Sequence, residues 1–285
     1  MKGIDYHFTG PVFENHTVSL DILTTTLDSL NRALSRAYLD VHRHGGVIKN
    51  AQMNKFEREN FIFTAELPLG QSWFQSIRAG TLNAEKTVER FMSSILPPYE
   101  KAKERGLERS ISLARQAHTV KENIYNESLT AQPFENFLQD GDTSNNFGQK
   151  SIAKYQSKMV SPMINLPLDN KLELTMHGNK THTLEFDGRI SKNFHTLISS
   201  RDIGNPVIFQ GNIQFIHANR HSGDFYNTIT HRTSSLRVTS NEDFMEIHPY
   251  TKGQTIQFIG APVIEYGTID RIAGDIYFIK FLREL

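Results

Sequence analysis

Apolar and polar positions alternate at the start of the chain, with Ile4, Tyr6 and Phe8 on one side and Gly10-Pro11 after them, which predicts a short strand and a turn. The period then changes. Ser19 is placed as an N-cap, and Leu20, Leu23, Leu27, Leu30, Leu34, Tyr38 and Val41 recur at spacings of three and four, predicting one long amphipathic helix that ends at Gly45-Gly46. From Asn50 to Leu67 alternation returns, with Phe61, Phe63, Ala65 and Leu67 on one side of a strand closed by Pro68 and Gly70. The only tryptophan follows in QSWFQSIRAG. There Trp73, with Phe74 and Ile77, fits a short helical turn packed on the core, or a loop that presents the indole to a ligand. Asn83 reads as the N-cap of a helix carrying Val88, Phe91, Met92, Ile95 and Leu96 and broken at Pro97-Pro98. A more charged helix, weakened at Gly106, continues through Leu107, Ile111, Leu113, Val120 and Ile124 and is expected to pair with it.

Residues 139–150, QDGDTSNNFGQK, are polar and rich in turn formers, so a linker is expected there. The segment 151–168 fits either a short helix or an extended crossing. Leu172, Leu174 and Met176 alternate before His177-Gly178-Asn179-Lys180, and Leu184 and Phe186 resume the alternation, which predicts a hairpin. From Pro206 to Leu285 short β-branched and aromatic bursts are separated by turn formers, the texture of a small antiparallel barrel, SH3-like or OB-like. Its strands IQFI, TIQFIG and DIYFIKFL are apolar on both faces and should be covered on both sides. The fold class is therefore α+β: a small N-terminal sheet with packed helices over 1–138, the linker 139–150, and a β-rich domain over 151–285 ending in the barrel.

Composition narrows the functional classes. Lys plus Arg balances Asp plus Glu at 31 each, so no global field draws the chain to nucleic acid or an anionic membrane. Cysteine is absent, which removes disulfides, thiolate metal sites and cysteine nucleophiles together. The polar N-terminus lacks the apolar core of a signal peptide and no long uncharged apolar run occurs, so a cytoplasmic protein without membrane partners is expected.

Catalytic templates are missing: there is no phosphate-binding glycine loop, GxGxxG, HExxH or GxSxG. Asp169 and Glu173 stand as in some metal-dependent nucleases, but Thr175 replaces the lysine that such a motif needs. His42 and His44 suit the C-terminus of the long helix as cations. His217, His221, Asp224 and His231 cluster around a barrel turn and form the one candidate metal set, since imidazole and carboxylate suit zinc or iron. No cofactor is implied.

The barrel aromatics Phe209, Phe215, Phe225, Tyr226 and Phe258 could stack bases in the manner of OB-folds. Against that, Arg220, Arg232, Arg237, Lys252, Arg271, Lys280 and Arg283 are outweighed by Asp224, Glu242, Asp243, Glu246, Glu265, Asp270, Asp275 and Glu284. Candidate interaction residues are Trp73, Phe74, Arg220, Phe225 and Tyr226.

The opening IDYHFTG, the long helix, the strand ENFIFTAELPLG and the ending QGNIQF... QTIQFIGAPVIEYGTIDRI resemble uncharacterised bacterial two-domain proteins found among mobile-element and antiviral-defence genes. The resemblance implies a part in a multi-protein system and supplies no catalytic residues. The sequence thus points to a non-catalytic interaction or sensing subunit that binds another protein or a second copy of itself. Nucleic-acid binding by the barrel, and metal-dependent hydrolysis by the histidine cluster, are the alternatives.

Overall fold

A computed structural model of the protein describes residues 2–44, 51–66, 74–104, 111–139 and 147–285. It is α+β, and the chain divides into two compact units that each draw on two stretches: Met1–Glu108 with Phe147–Ser199, and Arg109–Asn146 with Ser200–Leu285. The expected single boundary near 139–150 is thereby corrected. The chain passes between units three times, because residues 109–146 supply core and cover to the barrel and residues 147–199 complete the first sheet.

In the first unit β1 (Gly3–Thr9) lies at the centre of an antiparallel sheet, between β3 (Phe74–Ala79) and β5 (Lys171–His177), with β2 (Phe63–Glu66) and β6 (Thr181–Phe186) at the edges. Ile4, Tyr6, Phe8, Leu172, Leu174, Met176, Leu184 and Phe186 are buried on one face. The longer helices of this unit are α1 (Leu20–His42), α3 (Leu82–Lys103), α6 (Phe147–Val160) and α7 (Gly188–Ile198). Ser19 caps α1 as expected, accepting from the Ile22 amide at 3.3 Å.

Several local expectations are overturned. A short helix, α2 (Lys55–Asn60), precedes β2, because Asn54 and Glu57 form a capping box that outweighs the alternating apolar pattern. The stretch read as a helical turn is strand β3; Trp73 lies outside the described residues, and Phe74 opens the strand. Thr81, not Asn83, caps α3, and the helix runs through Pro97-Pro98. Prolines cannot donate to the carbonyls four residues earlier, yet the Gln149 side-chain amide on α6 donates to the Ser94 carbonyl at 3.1 Å and replaces one lost bond. The undecided segment after residue 150 is α6 followed by a 3-10 turn over Ser161–Asn165. The 171–187 hairpin is present as β5 and β6.

In the second unit five strands close into a barrel: β8 (Val207–His217), β9 (Ser222–Asn227), β10 (Arg232–Arg237), β11 (Thr255–Glu265) and β12 (Ile276–Glu284). Each neighbouring pair is antiparallel except β10 with β12, which is parallel. The connection between this parallel pair runs through helix α8 (Asn241–Ile247) and then β11. The resulting order, first-second-third-fifth-fourth and back to first, is that of the OB-fold and separates it from the SH3-like alternative. Strands β4 (Gln132–Pro133) and β7 (Arg201–Ile203) extend the sheet beside β8 and β11.

Phe209, Phe225, Phe258 and Phe278 fill the barrel, and Phe134 and Phe137 of α5 (Phe134–Gln139) join them. Helix α4 (Leu113–Tyr125) covers the outer side of β11 and β12, setting Ala117, Ile124, Leu113 and Val120 against Ile259, Ala261, Val263, Tyr277 and Ile279. The expected cover on both faces is therefore present for β11 and for β12 up to Ile279, but not at the end of β12, where Leu282 is 40% exposed. It also fails for the end of β8, where Phe215 is 43% exposed.

Candidate functional site

The candidate residues lie on the outer side of β8, β9 and β10. Strand alternation sends Phe225 and Leu236 inward, and turns Ser222, Asp224, Tyr226, Thr233, Ser235 and Arg237 to the outer surface, where each retains some exposure. The register pairs Tyr226 with Thr233, Asp224 with Ser235 and Ser222 with Arg237. Between Ile213 and Phe215 the β8–β9 register slips by one residue. Such a bulge re-aims side chains, and Gln214 and Phe215 are both exposed. The Phe215 ring meets His217 edge-on at 5.2 Å. Gly223 makes this irregularity possible, since a Cβ there would lie 2.0 Å from the Phe215 carbonyl oxygen.

Two tight turns bound the face. After β8 a 3-10 turn over Ala218–Arg220 ends at His221 in the left-handed region, and the His221 carbonyl accepts from the Val238 amide at 3.0 Å. His221 Nε2 lies 3.0 Å from Asn241 Oδ1, and Arg220 stands exposed at the tip. At the other end the Asn227 carboxamide oxygen accepts from the Ile229 and Thr230 amides, an Asx turn. His231 Nδ1 lies 3.3 Å from the Tyr226 hydroxyl, and the exposed Arg232 begins β10. Thr230 Oγ1 donates to the Ile272 carbonyl at 3.2 Å, which ties this turn to the loop between β11 and β12.

These positions correct part of the expected site. Phe225 is 0% exposed and packs in the barrel core against Phe258 at 5.0 Å, so it presents nothing to a ligand. Phe209 and Phe258 are buried with it. Tyr226 and Arg220 do reach the surface. The proposed metal set is not assembled: His217 and His221 flank one turn, His231 ends the opposite turn beside Tyr226, and Asp224 faces out from the strand between. Among the described residues no group of three or more His, Cys, Asp or Glu side chains is placed to hold a metal ion. No protein-family model, curated protein or solved structure matches the chain.

The charge balance of the barrel also changes once partners are known. Asp243 is fully buried, and accepts from Thr239 and from Lys121 of α4. Burial works to lower the Lys121 pKa, but the Asp243 carboxylate outweighs it and the pKa is raised. Asp270 accepts from the Ile272 and Ala273 amides within its own loop, and Glu265 pairs with Arg201 at 3.0 Å. Lys280 and Arg271 are likewise engaged, over the rings of Tyr125 and Phe137. What faces outward around β9 and β10 is Arg220, Arg232 and Arg237 against Asp224, with Arg237 lying 3.8 Å from the largely buried Asp275.

A second polar constellation was not legible from residue spacing. In the first sheet Asp5 lies opposite Ser76 and Thr175, while Arg78 and His177 both oppose Gly3. Arg78 Nη1 donates to Asp5 at 2.6 Å, His177 Nε2 lies 2.7 Å from its other oxygen, and Arg78 Nη2 donates to Ser76 Oγ at 3.0 Å. A Cβ on Gly3 would sit 2.8 Å from Arg78 Nη1, so glycine leaves the room the guanidinium occupies. Burial alone would raise the Asp5 pKa, but Arg78, His177 and Ser76 outweigh it and hold the carboxyl below its ordinary range. The cluster binds three strands together, and its charges answer one another.

Proposed function

We propose that the second unit is a recognition module that binds single-stranded nucleic acid across β8, β9 and β10, without catalysis, and that it serves as the binding subunit of a larger assembly. The carrying observation is the outer face of the OB-type barrel, where exposed Phe215 and outward Tyr226 lie between the arginines of the two bounding turns. Aromatic rings on such a surface stack bases of any sequence, and arginines at its ends meet phosphates. The excess of acidic residues in the barrel sequence carries less weight against this reading than composition suggests, because Asp243, Asp270 and Glu265 are committed internally.

Fluorescence anisotropy with labelled single-stranded DNA and RNA of about 15 nucleotides, spanning one OB-fold site size, tests the reading. Binding is expected at low salt and should weaken steeply as salt rises. Phe215→Ala and Tyr226→Ala should each weaken it by about 5- to 150-fold, the range of base–aromatic stacking. Arg220→Ala and Arg232→Ala should lower the salt slope by about one phosphate contact apiece. No binding of either strand type at low salt would refute the proposal, and a protein that co-purifies on this face would replace the ligand.

A further inference from the structure

A cavity in the first unit lies where the end of α1 meets the start of α3. About 220 Å³ in volume, it is lined by Tyr38, Val41 and His42 of α1, by His44 just beyond that helix, and by Asn83 and Lys86 of α3. His42 follows Tyr38 by one helical turn, so both lie on one face, and their rings stack with centres 5.7 Å apart. The two helix ends that meet here have opposite polarity and offset one another. The side chains therefore decide what the cavity can hold.

Those side chains are donors that the fold leaves unused. Tyr38 is 1% exposed, and its hydroxyl has no hydrogen-bond partner among the described residues. A buried donor left unpaired in this way is costly and calls for a reason. Burial, and then the Glu57 carboxylate, raise the Tyr38 pKa, so the phenol keeps its proton and stays a donor. Glu57 itself is occupied: Arg43 donates to its two oxygens at 2.9 and 2.8 Å, and the Asn54 amide donates to it at 2.8 Å. Neither Glu57 nor Glu85, in the first turn of α3, lines the cavity. Among the described residues no hydrogen bond or ion pair engages the side chains of His42, His44, Asn83 or Lys86. Lys86 brings one permanent positive charge, and the phenol and carboxamide add neutral donors. That set matches a carboxylate, with one negative charge and two acceptor oxygens, better than a phosphoryl group with nearly two charges.

We propose that this cavity binds a short-chain monocarboxylate, its oxygens held by the Tyr38 hydroxyl, Asn83 and Lys86 and its aliphatic end set against Val41. The volume equals that of about seven waters at liquid density and falls below the range of drug-sized ligands, which limits the body to about four carbons.

A two-dimensional ¹H–¹⁵N NMR titration of the full chain at constant ionic strength tests this, with butyrate, pyruvate, inorganic phosphate and the neutral isostere butyramide as probes. Saturable shifts with at least one of the two carboxylates, weaker binding of phosphate and none of butyramide are the expected result. Lys86→Gln, at an exposed position, should weaken carboxylate binding about tenfold, one lost charge-assisted bond. Tyr38→Phe keeps the stacked ring and removes only the unpaired hydroxyl, so its melting temperature should be unchanged or higher while carboxylate binding weakens about 3- to 10-fold. A tyrosine that serves only as a core ring would give a variant that binds as before. No saturable shifts with either carboxylate up to about 10 mM, beyond the weak end of specific affinity, would overturn the proposal. So would phosphate or butyramide binding as tightly as the carboxylates, or carboxylate binding unaltered in either folded variant.

Discussion

Asp5 shows what a single carboxylate can hold. It bridges Arg78 on one neighbouring strand and His177 on the other from the central strand of its sheet, and its side chain is largely buried. Because its pKa is depressed in the folded state, its stabilising contribution is fully present above the unfolded value of about 4 and is lost as pH falls through the lower folded value. Glu57 behaves alike: Arg43 lowers its pKa against the opposing effect of burial. Thermal midpoints should therefore fall below about pH 4, and Asp5→Asn should flatten part of that fall while costing about 2 to 3 kcal/mol at neutral pH, measured by urea unfolding. Gly223→Ala is a sharper test of the barrel face. The added methyl meets the Phe215 carbonyl, so the variant should lose about 1 to 3 kcal/mol and bind oligonucleotides more weakly, as read by anisotropy.

Elements with a clean period were legible in the sequence, and those set by long-range partners were not. The alternation of Ile4, Tyr6 and Phe8, the Ser19 cap and the 171–187 hairpin each rest on signals a few residues apart, and each element stands where expected. Helix α3 continues past Pro97-Pro98 because Gln149, on another helix, supplies a donor, a fact no local pattern carries. Gln149→Ala should then leave the Ser94 carbonyl short of a partner and cost about 1 to 3 kcal/mol, with loss of helical circular dichroism on mild heating as the readout. The α2 capping box was present as Asn54 and Glu57, but the apolar alternation just after it gave a competing signal. In the barrel, alternation marked the strands without saying which aromatic pointed inward, and closure settled that by burying Phe225 and leaving Tyr226 outside.

At the scale of the whole molecule, neither unit is a continuous length of chain. Polar composition at 139–150 marked one of the three crossings; the other two lie where no linker signature was read. A fragment of residues 147–285 lacks α4 and α5, so Ile259, Val263, Tyr277 and Ile279 lose their cover and Phe209 loses Phe134 and Phe137. That fragment should be insoluble or bind a hydrophobic dye, whereas 109–146 joined by a flexible glycine-serine linker to 200–285 should give a folded, monodisperse barrel by gel filtration and circular dichroism. The same interleaving bears on synthesis. When the ribosome has made half of this chain, the first sheet still lacks β5 and β6, and α4 waits for a barrel that does not yet exist. At the typical pace of elongation those apolar surfaces stay without partners for about 3 to 30 seconds, so the nascent protein should depend on chaperones more than a chain of its size with contiguous domains.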